Sequence, residues 1–190
     1  MTVQYIHPTP VYSCLIDNLQ DVYLEIEEKI NGVKFEKFDK WGGTHYLSDS
    51  TFSSNIIEEK KINLLRDQII FHAKKFCKEI NCTEINNFEM YSSWVSLFSK
   101  GDYGHIHNHS YSDISGVYYH KTNGIDGKIF FEAANSHLIT SKCFTHLSDW
   151  FLHDPKPGKL ILFPGWLRHG IQTNNTNQHR ISLSFNLRAI

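Results

Sequence analysis

From Phe88 onward the chain breaks into short runs rich in β-branched and aromatic residues, each closed by a turn signal, and this succession most limits its fold. Strands are expected near Met90–Ser99, Gly104–His109, Ile114–Lys121, Lys128–Ala133, Trp150–His153, Lys159–Phe163, His169–Thr173 and His179–Arg188. Lys100-Gly101-Asp102, Asn123 to Gly127, Asp154 to Gly158, Pro164-Gly165 and Asn174 to Asn177 separate them. Eight short consecutive strands can hide their apolar faces by stacking as two sheets, so a mainly β double-sheet jelly roll is expected.

The amino-terminal part has a different period. Leu19, Val22, Tyr23, Ile26 and Ile30 recur at helical spacing over Asp17–Ile30. Ile57, Ile62, Leu65, Ile69, Ala73 and Phe76 do so over Ser54–Glu79. Residues 38–54 between them are rich in Gly, Ser, Thr and Asp and read as a loop, with Trp41-Gly42-Gly43-Thr44 a candidate lid. One domain over 1–190 is expected, with residues 1–87 as helical support and an N-terminal segment and 88–190 as the jelly-roll core.

Composition narrows the function classes. At 41% hydrophobic residues and a net charge of −1 the chain is of ordinary globular type, without an electrostatic case for nucleic acid or an anionic membrane as partner. No run reads as a signal peptide or a membrane span. Cys14, Cys77, Cys82 and Cys143 show no CxxC spacing, which points to reduced thiols in a cytoplasmic protein.

The chemistry is concentrated in GDYGHIHNHSYSDISGVYYH, residues 101–120. On a strand, His105, His107 and His109 share one face, so two of them can reach a single metal. His169, after the Pro164-Gly165 turn in LILFPGWLRHGI, is the best third ligand. In HRISLSFNLRA the alternation puts Arg180, Ser182, Ser184 and Asn186 on one face and Ile181, Leu183, Phe185 and Leu187 on the other. An Arg fork with a Ser two residues on suits a carboxylate. His45, His72, His137, His146 and His153 have no comparable context, and Trp94 and Trp166 fit core or site equally.

The segments SSWVSLFSKGDYGHIHNHS, SGVYYHKT, KPGKLILFPGWLRH and HRISLSFN, in that order, resemble the 2-oxoglutarate- and Fe(II)-dependent oxygenase superfamily, and within it a group of short oxygenases of prokaryotes and phages. That resemblance implies a double-stranded β-helix of cupin-like form that binds Fe(II), 2-oxoglutarate and O2. It implies His107, His109 and His169 as iron ligands, with Arg180, Ser182 and Tyr119 holding the 2-oxoglutarate C5 carboxylate. It further implies a dioxygenase, specifically a hydroxylase of an unidentified prime substrate, and allows a homodimer paired through the helices.

One position departs from the superfamily pattern of two His and one carboxylate, because His109 stands where Asp or Glu is usual. Asp113 is the nearest carboxylate and the alternative ligand. A three-His zinc hydrolase, a non-catalytic jelly roll that binds a small carboxylate and a structural phage component are the competing readings.

Overall fold

The last strand, β11 (Arg180–Ala189), is central to the larger sheet, and its alternation divides the molecule. Leu183, Phe185 and Leu187 are fully buried on one face. Arg180, Ser182, Ser184 and Asn186 lie on the other, beside Phe98, Ser96, Trp94 and Ser92 of β4 (Phe88–Phe98). On the opposite flank Ser182 and Ser184 pair with Tyr119 and Val117 of β6 (Ile114–Lys121).

The structure is a computed structural model that describes residues 2, 8–37, 44–48, 54–132 and 150–190. Its larger sheet has the order β1 (Tyr12–Leu15), β9 (Lys159–Pro164), β6, β11, β4, β3 (Tyr46–Leu47), β2 (Glu36–Lys37). The smaller has the order β5 (Gly104–His107), β10 (His169–Ile171), β7 (Ile129–Phe131), β8 (Phe151–His153). Neighbouring strands pair antiparallel throughout. Val117, Tyr119, Ile161 and Phe163 of the larger sheet pack directly on Ile129 and Phe131 of the smaller, so the sheets face each other as a jelly roll.

The larger apolar cluster lies outside that interior. Val22 and Ile26 of α1 (Leu19–Lys29), with Leu65, Ile69, Ala73 and Phe76 of α3 (Asn63–Glu79), cover Leu160, Leu162, Leu183, Phe185 and Leu187. Each such side chain contributes about 1.5–3 kcal/mol when fully buried. With so much apolar burial under the helices, the space between the sheets can stay partly polar.

Three expectations need correction. Residues 1–87 are not only helical support, since β1, β2 and β3 extend the larger sheet. The helix expected over Ser54–Glu79 is two, α2 (Ile56–Glu59) and α3, interrupted where Lys61 adopts φ 55°. The break holds because the Glu25 carboxylate of α1 accepts from the N–H groups of Asn63 and Leu64, at 3.0 and 2.9 Å, capping α3 from another element. The strand expected over Gly104–His109 ends at His107. Trp41-Gly42-Gly43 of the candidate lid lie outside the described residues, as does Cys143. Among the described residues no helix is long and apolar enough to cross a membrane.

Candidate metal and co-substrate site

His107, at the end of β5, pairs across the ladder with His169, the first residue of β10. His109 lies beyond β5 on a turn closed by Ser112 N–H donating to His109 O at 2.9 Å. That turn is tied to Pro164-Gly165 by the His109 N–H, which donates to Gly165 O at 2.7 Å. The potential ligand atoms of the three rings lie within 4.8 Å of one another. Strand pairing therefore brings His107 and His169 together and a tethered turn supplies His109, rather than alternation along one strand supplying both His107 and His109.

Backbone carbonyls select the tautomers. Nδ1 of His107 donates to His105 O at 2.8 Å, and Nδ1 of His169 donates to Leu167 O at 2.9 Å. The proton thus sits on Nδ1 in both rings, and Nε2 presents a lone pair. Burial holds all three rings below the usual histidine range, His109 down to about 3, with His169 lowered further by its two neighbours. Three neutral imidazoles, His107 and His169 pre-oriented by these bonds, fit a divalent transition metal.

The same burial predicts a pH dependence for the metal-free protein. Above about pH 7.5 these rings are neutral in both folded and unfolded chains and contribute no slope. Below it the unfolded chain binds protons that the folded chain refuses, so stability is lost as pH falls toward the folded values, about 4 for His45 and about 3 for His109. Each such ring costs up to about 2 kcal/mol by pH 5. Urea midpoints are expected to drop steadily between about pH 7 and pH 5, and a flat profile would count against neutral, desolvated rings.

Gly165 makes the turn-to-turn contact possible. A Cβ there would stand 2.3 Å from Ser112 O and 2.6 Å from His109 O. Gly165→Ala must push the His109 turn away, at a cost of about 1–3 kcal/mol of stability. We expect it to weaken divalent-metal binding about tenfold, comparable to loss of a group that orients a ligand. Metal titration calorimetry checks this, and parent-like affinity would show that His109 is held by other contacts.

Arg180 is fully buried. The turn after β6 is organised by buried Asp126, whose carboxylate accepts from Thr122 Oγ1 at 2.7 Å and from Asn123 N–H at 3.0 Å. It delivers Asp126 O and Gly127 O to Arg180 Nη1 at 3.3 and 2.8 Å. Gly127 adopts φ 101°, and a Cβ there would lie 2.3 Å from Gln172 O, so the turn admits only glycine. The Phe98 ring centre lies 3.9 Å from Arg180 Cζ.

Two donors beside this turn are left over. Arg180 Nε and the Tyr119 hydroxyl are buried and have no hydrogen-bond partner among the described residues. Burial pushes the Tyr119 hydroxyl up to about 12, so it remains a neutral donor at neutral pH. An unpaired buried donor costs about 1–3 kcal/mol, more when charged. Cationic and neutral donors side by side, with Ser182 paired to Tyr119, match a carboxylate supplied from outside the chain.

His105 is exposed, and it serves His107 through its backbone carbonyl. Asp113 does not join the triad, because its Oδ2 accepts from Ala189 N–H at 2.8 Å. Trp94 lies with its ring 5.7 Å from that of His109, on the interior face, whereas Trp166 is 55% exposed. His72, on α3, is bonded to the Tyr12 hydroxyl of β1 at 2.9 Å, and His153, on β8, packs on Phe131; neither joins the triad. His137 and His146 fall outside the described residues. Sequence reasoning missed Phe98 and His45, which stack at 4.2 Å beside Arg180. Only the β3–β4 register brings them together, and no local pattern carries that signal.

A family model described as "Putative 2OG-Fe(II) oxygenase" matches residues 92–186, half of the chain. No curated protein matches the sequence. Among solved structures, a Pseudomonas putida prolyl-4-hydroxylase aligns with a TM-score of 0.60 at 13% identity, over 95% of this chain and 92% of that one. The alpha-ketoglutarate-dependent epimerase SnoN from nogalamycin biosynthesis aligns with a TM-score of 0.68 at 12% identity, over 95% and 78%. HygX from Streptomyces hygroscopicus, solved with nickel and 2-oxoglutarate bound, gives 0.62 at 10% identity, over 94% and 82%. At these identities the structures establish a shared fold, and the family assignment rests on the match that runs from β4 through the histidine turns to β11: the chain belongs to the 2-oxoglutarate- and Fe(II)-dependent oxygenases.

Proposed function

We propose that this chain is a hydroxylase that works in the cytoplasm, with His107, His109 and His169 as its iron ligands and Arg180, Tyr119 and Ser182 as the seat of the 2-oxoglutarate C5 carboxylate. The observation that carries this reading is the pair of orphaned buried donors, Arg180 Nε and Tyr119 OH, in the interior that the triad also faces. A zinc hydrolase would have no use for them, and a structural jelly roll would lose stability by keeping them unpaired.

When bound, iron and 2-oxoglutarate supply the oxidation: 2-oxoglutarate and O2 yield succinate and CO2, and one oxygen atom enters a substrate C–H bond. The chain binds, orients and excludes water. Arg180 and Tyr119 hold the distal carboxylate, which leaves the keto-acid end of the molecule for the metal. Nδ1–H bonds to His105 O and Leu167 O keep the His107 and His169 rings turned toward a common centre. At the other end of the interior Ser115 Oγ donates to Asn186 Oδ1 at 2.8 Å and Asn186 Nδ2 donates to Ser92 Oγ at 2.9 Å, a closed polar network. Because all three ligands are neutral, the full charge of the metal is available to attract the dianionic co-substrate.

The test is anaerobic titration of the Fe(II) protein with 2-oxoglutarate. A visible metal-to-ligand charge-transfer band is expected, followed on admission of air by succinate formation. Tight zinc binding with no response to 2-oxoglutarate would replace the oxygenase reading with a hydrolase or structural-metal one. With a substrate in hand, oxygen from labelled O2 in the product separates hydroxylation from other outcomes of the same chemistry.

A further inference from the structure

His45 links the metal strand to the co-substrate anchor. It directly precedes β3, and the register Tyr46 to Leu97 and Leu47 to Ser96 continues so as to set His45 opposite Phe98. The two rings stack with centres 4.2 Å apart and planes 5° apart. Phe98, 2% exposed, also lies against the Arg180 guanidinium, with its centre 3.9 Å from Cζ.

On its other side His45 is tied to Tyr103, the residue that leads into β5 and so to His107. Nδ1 of His45 donates to Tyr103 O at 3.2 Å. Thr44 N–H donates to the same carbonyl at 3.2 Å, and Tyr103 N–H donates to Thr44 Oγ1 at 3.0 Å. The imidazole is thus pinned at its edge and lies flat on the ring that carries the guanidinium. Burial, with Arg180 adding, lowers it to about 4, so it is uncharged at neutral pH. An imidazolium in the same place would repel the neighbouring cation.

Two carbonyls hold the Arg180 guanidinium at Nη1, and the Phe98 face against which it lies sets the tilt of the rest of its plane. Phe98 ends β4, so the side chains packed on its ring set its tilt, His45 among them. We propose that His45 is a positioning residue for 2-oxoglutarate, which clamps the Phe98 ring and thereby aims the unpartnered Nε of Arg180 at the distal carboxylate. This rests on the reading of Arg180 as the co-substrate anchor.

The test compares two probes on anaerobic Fe(II) protein, 2-oxoglutarate and oxalate. Oxalate chelates the metal but lacks a distal carboxylate. His45→Asn keeps a donor for Tyr103 O and removes the ring, while His45→Phe keeps the ring and removes the donor. We expect His45→Asn to weaken 2-oxoglutarate about tenfold and leave oxalate unchanged. His45→Phe is expected to stay within about threefold of the parent. In a Phe98→Leu background His45→Asn is expected to have no further effect, because the ring through which it acts is gone. Parent-like 2-oxoglutarate affinity in His45→Asn would overturn the proposal, as would equal weakening of both probes. A parent that binds metal and oxalate but no 2-oxoglutarate would bring down the co-substrate reading, and the role of His45 with it.

Discussion

Arg180→Met is expected to weaken 2-oxoglutarate binding by at least about a hundredfold while leaving metal affinity and the melting temperature nearly unchanged. Two hydrogen bonds from a guanidinium to a carboxylate contribute about 1.5–3 kcal/mol each. Their joint loss, at about 1.4 kcal/mol per factor of ten, sets the scale. Stability should behave differently. The guanidinium is fully buried and its Nε has no partner, so its desolvation cost of several kcal/mol is incompletely offset. Methionine keeps an apolar, flexible stem against Phe98 and removes that cost. Against this, Asp126 O and Gly127 O each lose a donor, at about 1–3 kcal/mol. The two sides nearly cancel, so a shift of only a few degrees is expected for a domain of this size. Isothermal titration with 2-oxoglutarate and a thermal melt on the same samples decide it. Undiminished binding would put the carboxylate elsewhere, whereas a collapse in stability with little effect on binding would make Arg180 a structural residue.

Such a residue is legible in sequence because its strand alternates cleanly. Leu183, Phe185 and Leu187 could only be core, and that left Arg180, Ser182, Ser184 and Asn186 for the interior. His169 was legible for a related reason, since an apolar run, a Pro-Gly turn and a histidine place that ring at the start of a strand. The failures share one cause, which is contact between distant segments. The end of β5 at His107 depends on Gly165, more than fifty residues on, drawing the His109 turn aside. The break between α2 and α3 depends on Glu25 capping from α1. The short strands β2 and β3 are two residues each, too few for a period to show, and only the pairing of β3 with β4 and of β2 with β3 defines them. His45 falls in the same class, because an isolated histidine in a polar stretch carries no pattern.

His169→Ala is expected to lower Fe(II) or Zn(II) affinity by at least about a thousandfold. Removing a group that merely orients a ligand costs about 10–100-fold, and a direct ligand removes a bond as well. His169 is the most enclosed of the three rings, paired across the ladder with His107 and fixed through Leu167 O, so no neighbour can swing in to replace it. Asp113 is held by Ala189 N–H and cannot substitute. His109→Asp provides the contrasting case. It gives the two-His-one-carboxylate donor set at a position grouped with His107 and His169, and metal affinity is expected to hold. Without metal, the buried carboxylate should make that variant less stable than the parent, and metal addition should recover the difference. The pair separates the two ways in which the triad could be misread. If His169→Ala keeps its metal, the ligand set lies elsewhere. If His109→Asp loses it while His169→Ala behaves as expected, the neutral character of the third ligand is itself what the metal requires.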